Sequence, residues 1–196
     1  GEERDLAAAA DADARSLDTE IVTGTGDPET ELTIPYRGRR LGGDQLRHQL
    51  DVWVEAGTIE PSAREAVGLV VANPDWLRLQ GRTLAVLGAA AEMAPVCSLR
   101  RWGASAAAMD LARPAVWERI VSDARASAGP LLVPVRAGNE ALTRRAGADL
   151  ITEPAAVARW LTSLPGPIVI GNYVYADGSL NVQVSTAVDL ITQATR

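Results

Sequence analysis

The rhythm of apolar and polar positions changes near residue 83. Before it, the apolar residues Leu46, Leu50, Trp53 and Val54 recur at three- and four-residue spacing, which predicts an amphipathic helix closed by Gly57 as a C-terminal cap. Ser62 and Glu65 have the Ser-x-x-Glu spacing of a capping box and open a second expected helix that runs to about Val71. Asn73-Pro74 then starts a short turn whose Trp76 is placed to pack rather than to react. Residues 36–80 therefore read as a small helical preface of two antiparallel helices. Residues 1–35 are acidic, and short β-like runs at 20–22 and 31–34 flank the cluster Thr23-Gly24-Thr25-Gly26-Asp27-Pro28. They read as an N-terminal arm, or a hairpin that leans on something else. From Thr83 the pattern becomes alternating strand and helix, with strands expected at 83–88, 104–110, 130–135 and 167–174. The intervening helices fall at 92–102, 114–127 and 154–164, and a last one at 182–194. That alternation predicts an α/β fold: a parallel sheet in a three-layer arrangement, preceded by the helical segment. Right-handed crossovers give the sheet the order 3-2-1-4.

Composition narrows the classes of function. With 47% hydrophobic residues and no apolar run near the roughly 18 residues a spanning helix needs, the chain reads as soluble. The alanine-rich opening at 6–14 is broken by Asp11 and Asp13 and lacks a basic flank, so it is expected to be neither a secretory signal nor an anchor. A cytoplasmic protein follows as the expectation. The net charge of −6 and pI near 4.9 argue against a duplex nucleic-acid binder, which needs a basic face. One cysteine excludes an internal disulfide, and one histidine beside it cannot complete a structural zinc site. All 19 basic residues are arginine and phenylalanine is absent, a bias that suits a gene of very high GC content. No chemistry that requires a lysine resides in these residues.

The segment from Thr83 to Asp110 carries the sharpest chemical signal. An apolar strand (Leu84, Ala85, Val86, Leu87) ends in Gly88, a small-residue turn and helix follow, and a second apolar strand ends in Asp110. A backbone that approaches a pyrophosphate wants Gly or Ala after the first strand, with helical N–H groups aimed at the phosphates. An acidic residue about 20 positions on, at the second strand's tip, is where a ribose diol is held. Asp110 fits that role and equally fits a cap for the helix near Pro114. Glu92 is either a charge favourable to the helix dipole or a contact to a cofactor. The stretch Asn172-Tyr173-Val174-Tyr175-Ala176-Asp177-Gly178 follows a buried strand, where open α/β sheets place their ligand crevice; the alternative is a turn at Asp177-Gly178 with the tyrosines covering the core edge. Cys97 reads as a small buried hydrophobe and His48 as a surface residue of its helix.

With the strands placed, residues 83–178 resemble the short-chain dehydrogenase/reductase family. Gly88-Ala89-Ala90-Ala91-Glu92-Met93-Ala94 is similar to that family's Gly-x-x-x-Gly-x-Gly loop, with Glu92 and Ala94 in place of its second and third glycines. Asp110-Leu111 matches the acidic tip of its second strand. Asp149-Leu150-Ile151-Thr152-Glu153-Pro154 is similar to the segment that flanks the adenine, and Asn172 falls on the asparagine of the Asn-Asn-Ala-Gly strand end. The resemblance implies a Rossmann-like domain over 81–196 that binds NAD or NADP through Gly88, Ala89, Glu92, Met93, Asp110, Leu111, Asp149 and Asn172. An acid at Asp110 repels a 2′-phosphate, so NAD(H) is preferred, with Arg113 the one feature that argues for NADP(H). The family's catalytic tyrosine has a lysine four residues on, which this chain lacks. Tyr173 and Tyr175 remain as candidate acids working without lysine.

Three functions follow as expectations. The first is an NAD(P)-binding oxidoreductase acting on a small molecule, or the cofactor-binding portion of one whose remaining half lies beyond Arg196. The second is an S-adenosylmethionine-dependent methyltransferase, which uses a similar glycine turn and acidic strand tip. The third is a non-catalytic scaffold or assembly subunit. A sheet that stops after four strands leaves an edge unpaired, so a second copy or another polypeptide is expected to cover it and the last helix, with Val184, Val188 and Ile191 as the buried stripe.

Overall fold

The computed structural model describes residues 16–195; the alanine-rich opening at 6–14 lies outside them. Among the described residues, seven strands and seven α-helices follow one another. Strand β1 (Asp18–Val22) is followed by the hairpin β2 (Thr33–Tyr36) and β3 (Arg39–Gly42), then by helices α1 (Gly43–Glu55) and α2 (Pro61–Ala72). A single 3-10 turn (Pro74–Leu77) leads into β4 (Thr83–Leu87), α3 (Val96–Arg101), β5 (Ser105–Met109) and α4 (Pro114–Arg125). The remainder is β6 (Leu131–Val135), α5 (Leu142–Arg145), α6 (Pro154–Ser163), β7 (Ile168–Asn172) and α7 (Gly178–Ala194).

The main sheet has five strands in the order β1-β6-β5-β4-β7. The sequence expectation of a four-stranded sheet is thereby corrected: its strands 3, 2, 1 and 4 are β6, β5, β4 and β7, and β1 is a fifth that changes the order of the whole. Strands β6, β5, β4 and β7 are mutually parallel, and β1 adds antiparallel on the outside of β6, with Asp18 opposite Val135 and Val22 opposite Leu131. The β-like run at 20–22 lies within β1; its pairing with β6 is not legible in the sequence, because the partner lies more than a hundred residues away and the strand shows most of its side chains to solvent.

Alternation along the strands sends side chains to two faces, and each face has its own core. On one, Val86, Ala106, Ala108 and Val133 meet Val96 and Leu99 of α3 and Trp117, Ile120 and Val121 of α4. On the other, Ala85, Leu87, Ala107, Met109 and Leu132 meet Val157, Trp160 and Leu161 of α6 and Ile191 of α7. The run of small residues in β5 lets the covering elements approach closely. Trp160 is fully buried, and its Nε1–H donates to Thr19 Oγ1 at 2.9 Å, which fastens β1 to the helical layer. A third, smaller cluster belongs to the hairpin and the two prefatory helices, where Leu41, Leu46 and Leu50 pack with Ile34, Tyr36, Trp53 and Val67. There the Tyr36 ring stands edge-on to Trp53, 5.1 Å between centroids.

Three local expectations change. Helix α2 begins at Pro61 with Glu60 as its N-cap, so the Ser62–Glu65 capping box does not form; proline takes the first helical position and moves Ser62 inside it. Helix α3 starts only at Val96, after Pro95, and spans six residues. In α7 the Val184 and Ile191 side chains are buried within this chain and Val188 is packed against the same core. The stripe expected to receive a partner is therefore filled by the protein's own sheet and α6.

Replacement of Trp160 by alanine removes a buried indole and leaves the Thr19 hydroxyl without its donor, and is expected to lower stability by about 3–5 kcal/mol. The Trp76→Ala change, at a ring 58% exposed, should stay within about 0.5 kcal/mol of the parent. Denaturant unfolding checks both, and equal effects would contradict the placement of Trp160.

Candidate functional site

A cleft of about 560 Å³ opens at the carboxyl ends of β4, β5 and β7, with the start of α7 as its far wall. This is the switch point of the parallel sheet, since the chain leaves β4 towards β5 on one side and reaches β7 on the other. Gly88, Asp110, Leu111, Asp149, Tyr173 and Tyr175 all line it, so six of the sequence candidates come together. Ala89 and Glu92 line a separate cavity of about 280 Å³ between α3 and α4. Met93 is 83% exposed and lines neither, and Asn172 Oδ1 accepts the N–H of Val174 at 3.1 Å.

Gly88 is required by the fold itself. Its φ is +79°, and a Cβ there would sit 2.9 Å from the backbone of Tyr173 and Val174. The N–H groups of Gly88 and Ala89 both donate to Met109 O, and Ala91 N–H donates to Gly88 O. Ala90 N–H donates to Asp110 Oδ2 at 2.7 Å, while Asp110 Oδ1 accepts from Leu111 N–H at 2.8 Å. Asp110 thus ties the tip of β5 to the turn after β4. It does not cap α4, whose N-cap is Arg113 with no side-chain bond. A carboxylate has about four acceptor positions, so each oxygen keeps one for a hydroxyl in the cleft.

The other acid, Asp149, uses Oδ1 to accept from Ile151 N–H at 2.8 Å and Thr152 N–H at 3.4 Å. Its own N–H donates to Glu153 Oε2, and Glu153 receives both contacts of Arg136 Nη2, at 2.8 and 2.7 Å. Arg145 completes this support by donating to Arg136 O at 2.9 Å and pairing with Glu20 of β1. The Tyr173 ring folds back over Gly171, where a Cβ would lie 2.7 Å from its Cε2. Tyr175 is 86% exposed at the cleft rim. Asp177-Gly178 is no hairpin turn; it opens α7, with Asp177 as N-cap.

Two guanidinium groups complete the lining. Arg119 of α4 reaches over the turn, Nη2 to Ala90 O at 3.1 Å. Arg113 makes no ion pair or side-chain hydrogen bond with any other described residue. Arg119 was not legible as a site residue. Trp117, Ile120, Val121 and Ala124 mark the buried face of α4, and Arg119 falls outside it, but only the fold brings that face beside the turn.

Beneath the smaller cavity, Arg100 is fully buried and donates to Gly129 O at 3.2 Å and Asp123 O at 3.1 Å. Burial lowers its pKa from the ordinary value, opposed by Cys97 and Asp123. Cys97 is exposed rather than buried, because the single short α3 turns Val96, Leu99 and Arg100 inward and leaves it outside. Its thiol is pushed up, first by desolvation and then by the Asp123 carboxylate, whose Oδ2 lies 3.8 Å from Sγ. Among the described residues no group of three or more His, Cys, Asp or Glu side chains is placed to hold a metal, and no helix is long and apolar enough to cross a membrane.

No family model, curated protein or solved structure matches this chain.

Two substitutions probe this geometry. Gly88→Ala is expected to cost at least about 1–3 kcal/mol in denaturant unfolding, from the left-handed backbone alone; a loss below about 0.5 kcal/mol would contradict the turn. A thiol held protonated should react slowly with a disulfide reagent near neutral pH. Asp123→Asn removes a negative charge beside it, lowers its pKa and speeds that reaction, and a rate indifferent to the change would contradict the Cys97–Asp123 contact.

Proposed function

We propose that this protein binds a nicotinamide adenine dinucleotide, NAD(H) in preference to NADP(H), in the cleft at the carboxyl edge of the sheet. It would act as an oxidoreductase-like protein or as the cofactor-binding portion of one. The observation that carries the reading is the convergence of Gly88, Asp110, Asp149 and Tyr173 on one cleft at the switch point, where open α/β sheets take their ligands. A volume of about 560 Å³ lies in the range of pockets that enclose drug-sized ligands.

The residues fit a dinucleotide through side chains. Asp110 retains acceptor positions for a ribose diol, and its charge disfavours a 2′-phosphate at the same place. Asp149 Oδ2 offers a further acceptor, and Leu111, Val116 and Ile151 give an apolar wall for a base. A bound nicotinamide supplies the hydride-transfer chemistry. On the protein side, Tyr173 and Tyr175 are the phenols that line the cleft, and with no lysine in the sequence neither is tuned by the family's tyrosine-lysine pair.

A scaffold function has one observation in its favour: the turn after β4 directs its first N–H groups inward, to Met109, Gly88 and Asp110, and not towards a ligand.

A ligand that binds only the folded protein stabilises it, by about 2.7 kcal/mol at a hundred times its Kd. NAD(H) is expected to raise the melting midpoint, NADP(H) to do so less, and S-adenosylmethionine not at all. A midpoint unmoved by millimolar NAD(H) would overturn the proposal, and a rise with S-adenosylmethionine alone would replace it with methyl transfer.

A further inference from the structure

In this cleft the side chains and the backbone exchange the roles a nucleotide turn ordinarily gives them. A glycine-rich turn holds a pyrophosphate with free N–H groups and the helix that follows. Here Gly88, Ala89, Ala90, Ala91 and Ala94 all donate within the chain, and α3 begins five residues after Ala91 with only six residues of its own. The two N–H groups of that turn without an acceptor among the described residues, on Glu92 and Met93, belong to residues that do not line the cleft.

The charge available is on the opposite wall. Of the four charged side chains that line the cleft, the two acids, Asp110 and Asp149, already accept backbone N–H groups. The two cations, Arg113 and Arg119, have no carboxylate partner among the described residues. Arg82, Arg125 and Arg144 also lack an acidic partner among the described residues, but Arg113 and Arg119 are the arginines that line this cleft. Arg119 donates one Nη2 contact to Ala90 O, which sets its guanidinium on the stretch 88–91, whose N–H groups are taken. Arg113 sits three residues past Asp110, in the loop that Trp117 Nε1 anchors through Leu111 O at 3.0 Å.

We propose that Arg113 and Arg119 form the phosphate subsite of this cleft and hold the pyrophosphate of a nucleoside diphosphate in place of the turn's N–H groups. The proposal rests on the dinucleotide reading for the identity of the ligand, and on the two arginines for how it is held. Guanidinium groups suit the task because their fixed fork of donors matches phosphate oxygens.

The test is calorimetric titration of the full chain with adenosine, ADP, ADP-ribose, NAD(H) and NADP(H), repeated for Arg113→Gln and Arg119→Gln. The expected result is that ADP binds the parent at least about tenfold more tightly than adenosine, the scale of one charge-assisted hydrogen bond. Each variant should lose most of that gap, leave adenosine unchanged, and flatten the dependence on ionic strength. Arg113→Gln removes no internal contact, so its melting midpoint without ligand should equal the parent's; this keeps the test valid if Arg119→Gln loosens the turn. An undiminished ADP gap in both variants would overturn the proposal. So would a loss confined to NADP(H), which would assign the arginines to a 2′-phosphate. NAD(H) that binds the parent and both variants alike upholds the dinucleotide reading and defeats the arginine subsite. Arginine-dependent binding of ADP without any binding of NAD(H) upholds the subsite and defeats the dinucleotide reading.

Discussion

Ala90 N–H donates to Asp110 Oδ2 at 2.7 Å, and the carboxyl end of the sheet is organised around that bond. It joins the turn after β4 to the tip of β5, while Tyr173 N–H donates to Leu87 O on the other side and closes β7 against the same turn. Gly88 has to be glycine between them, because the backbone of Tyr173 and Val174 occupies the space of a Cβ. The three strand ends therefore form one rigid lip. The cleft opens above it, and what the lip offers to a ligand is side chains: Asp110 with its remaining acceptor positions, and the guanidinium of Arg119 over Ala90 O.

Much of this architecture was legible from apolar runs. The segments 83–87, 105–109 and 131–135 are small or branched hydrophobic residues bounded by Gly, Asp or Pro, and buried strands of a parallel sheet read that way whatever surrounds them. The helix expected at 114–127 is α4, and Gly88 and Asp110 stood at strand ends where their type already implied a special role. The rest depended on contacts between distant residues. Strand β1 is half polar and gains its place only by pairing with β6, by the Trp160 bond to Thr19 and by the Glu20 pair with Arg145. Asp110 was ambiguous between a ribose contact and a helix cap because no spacing rule includes its actual partner, an N–H twenty residues upstream. In the sequence Arg113 bears only on the choice between NAD(H) and NADP(H) and Arg119 carries no signal, and only the position of α4 over the turn gives them a common cleft.

The two sides of the sheet are finished differently. At one edge β1 carries Asp18 and Glu20, and charge on an edge strand opposes further pairing. At the other, β7 pairs only with β4 among the described residues, bears no charge, and leaves Val169 64% exposed. The α7 stripe of Val184, Ala187 and Ile191 is directed inward, so this edge is shielded by the protein's own helix on one face while its outer backbone is open.

Chemical-shift mapping of backbone amides during titration with NAD(H) tests the central claim most directly, because it reports where a ligand sits as well as whether it binds. The account predicts saturable shifts concentrated at 88–91, 110–119, 149–151 and 173–176, the four segments that meet at the cleft. A spectrum that does not change at millimolar NAD(H), or shifts that gather around the hairpin and prefatory helices instead, would contradict it.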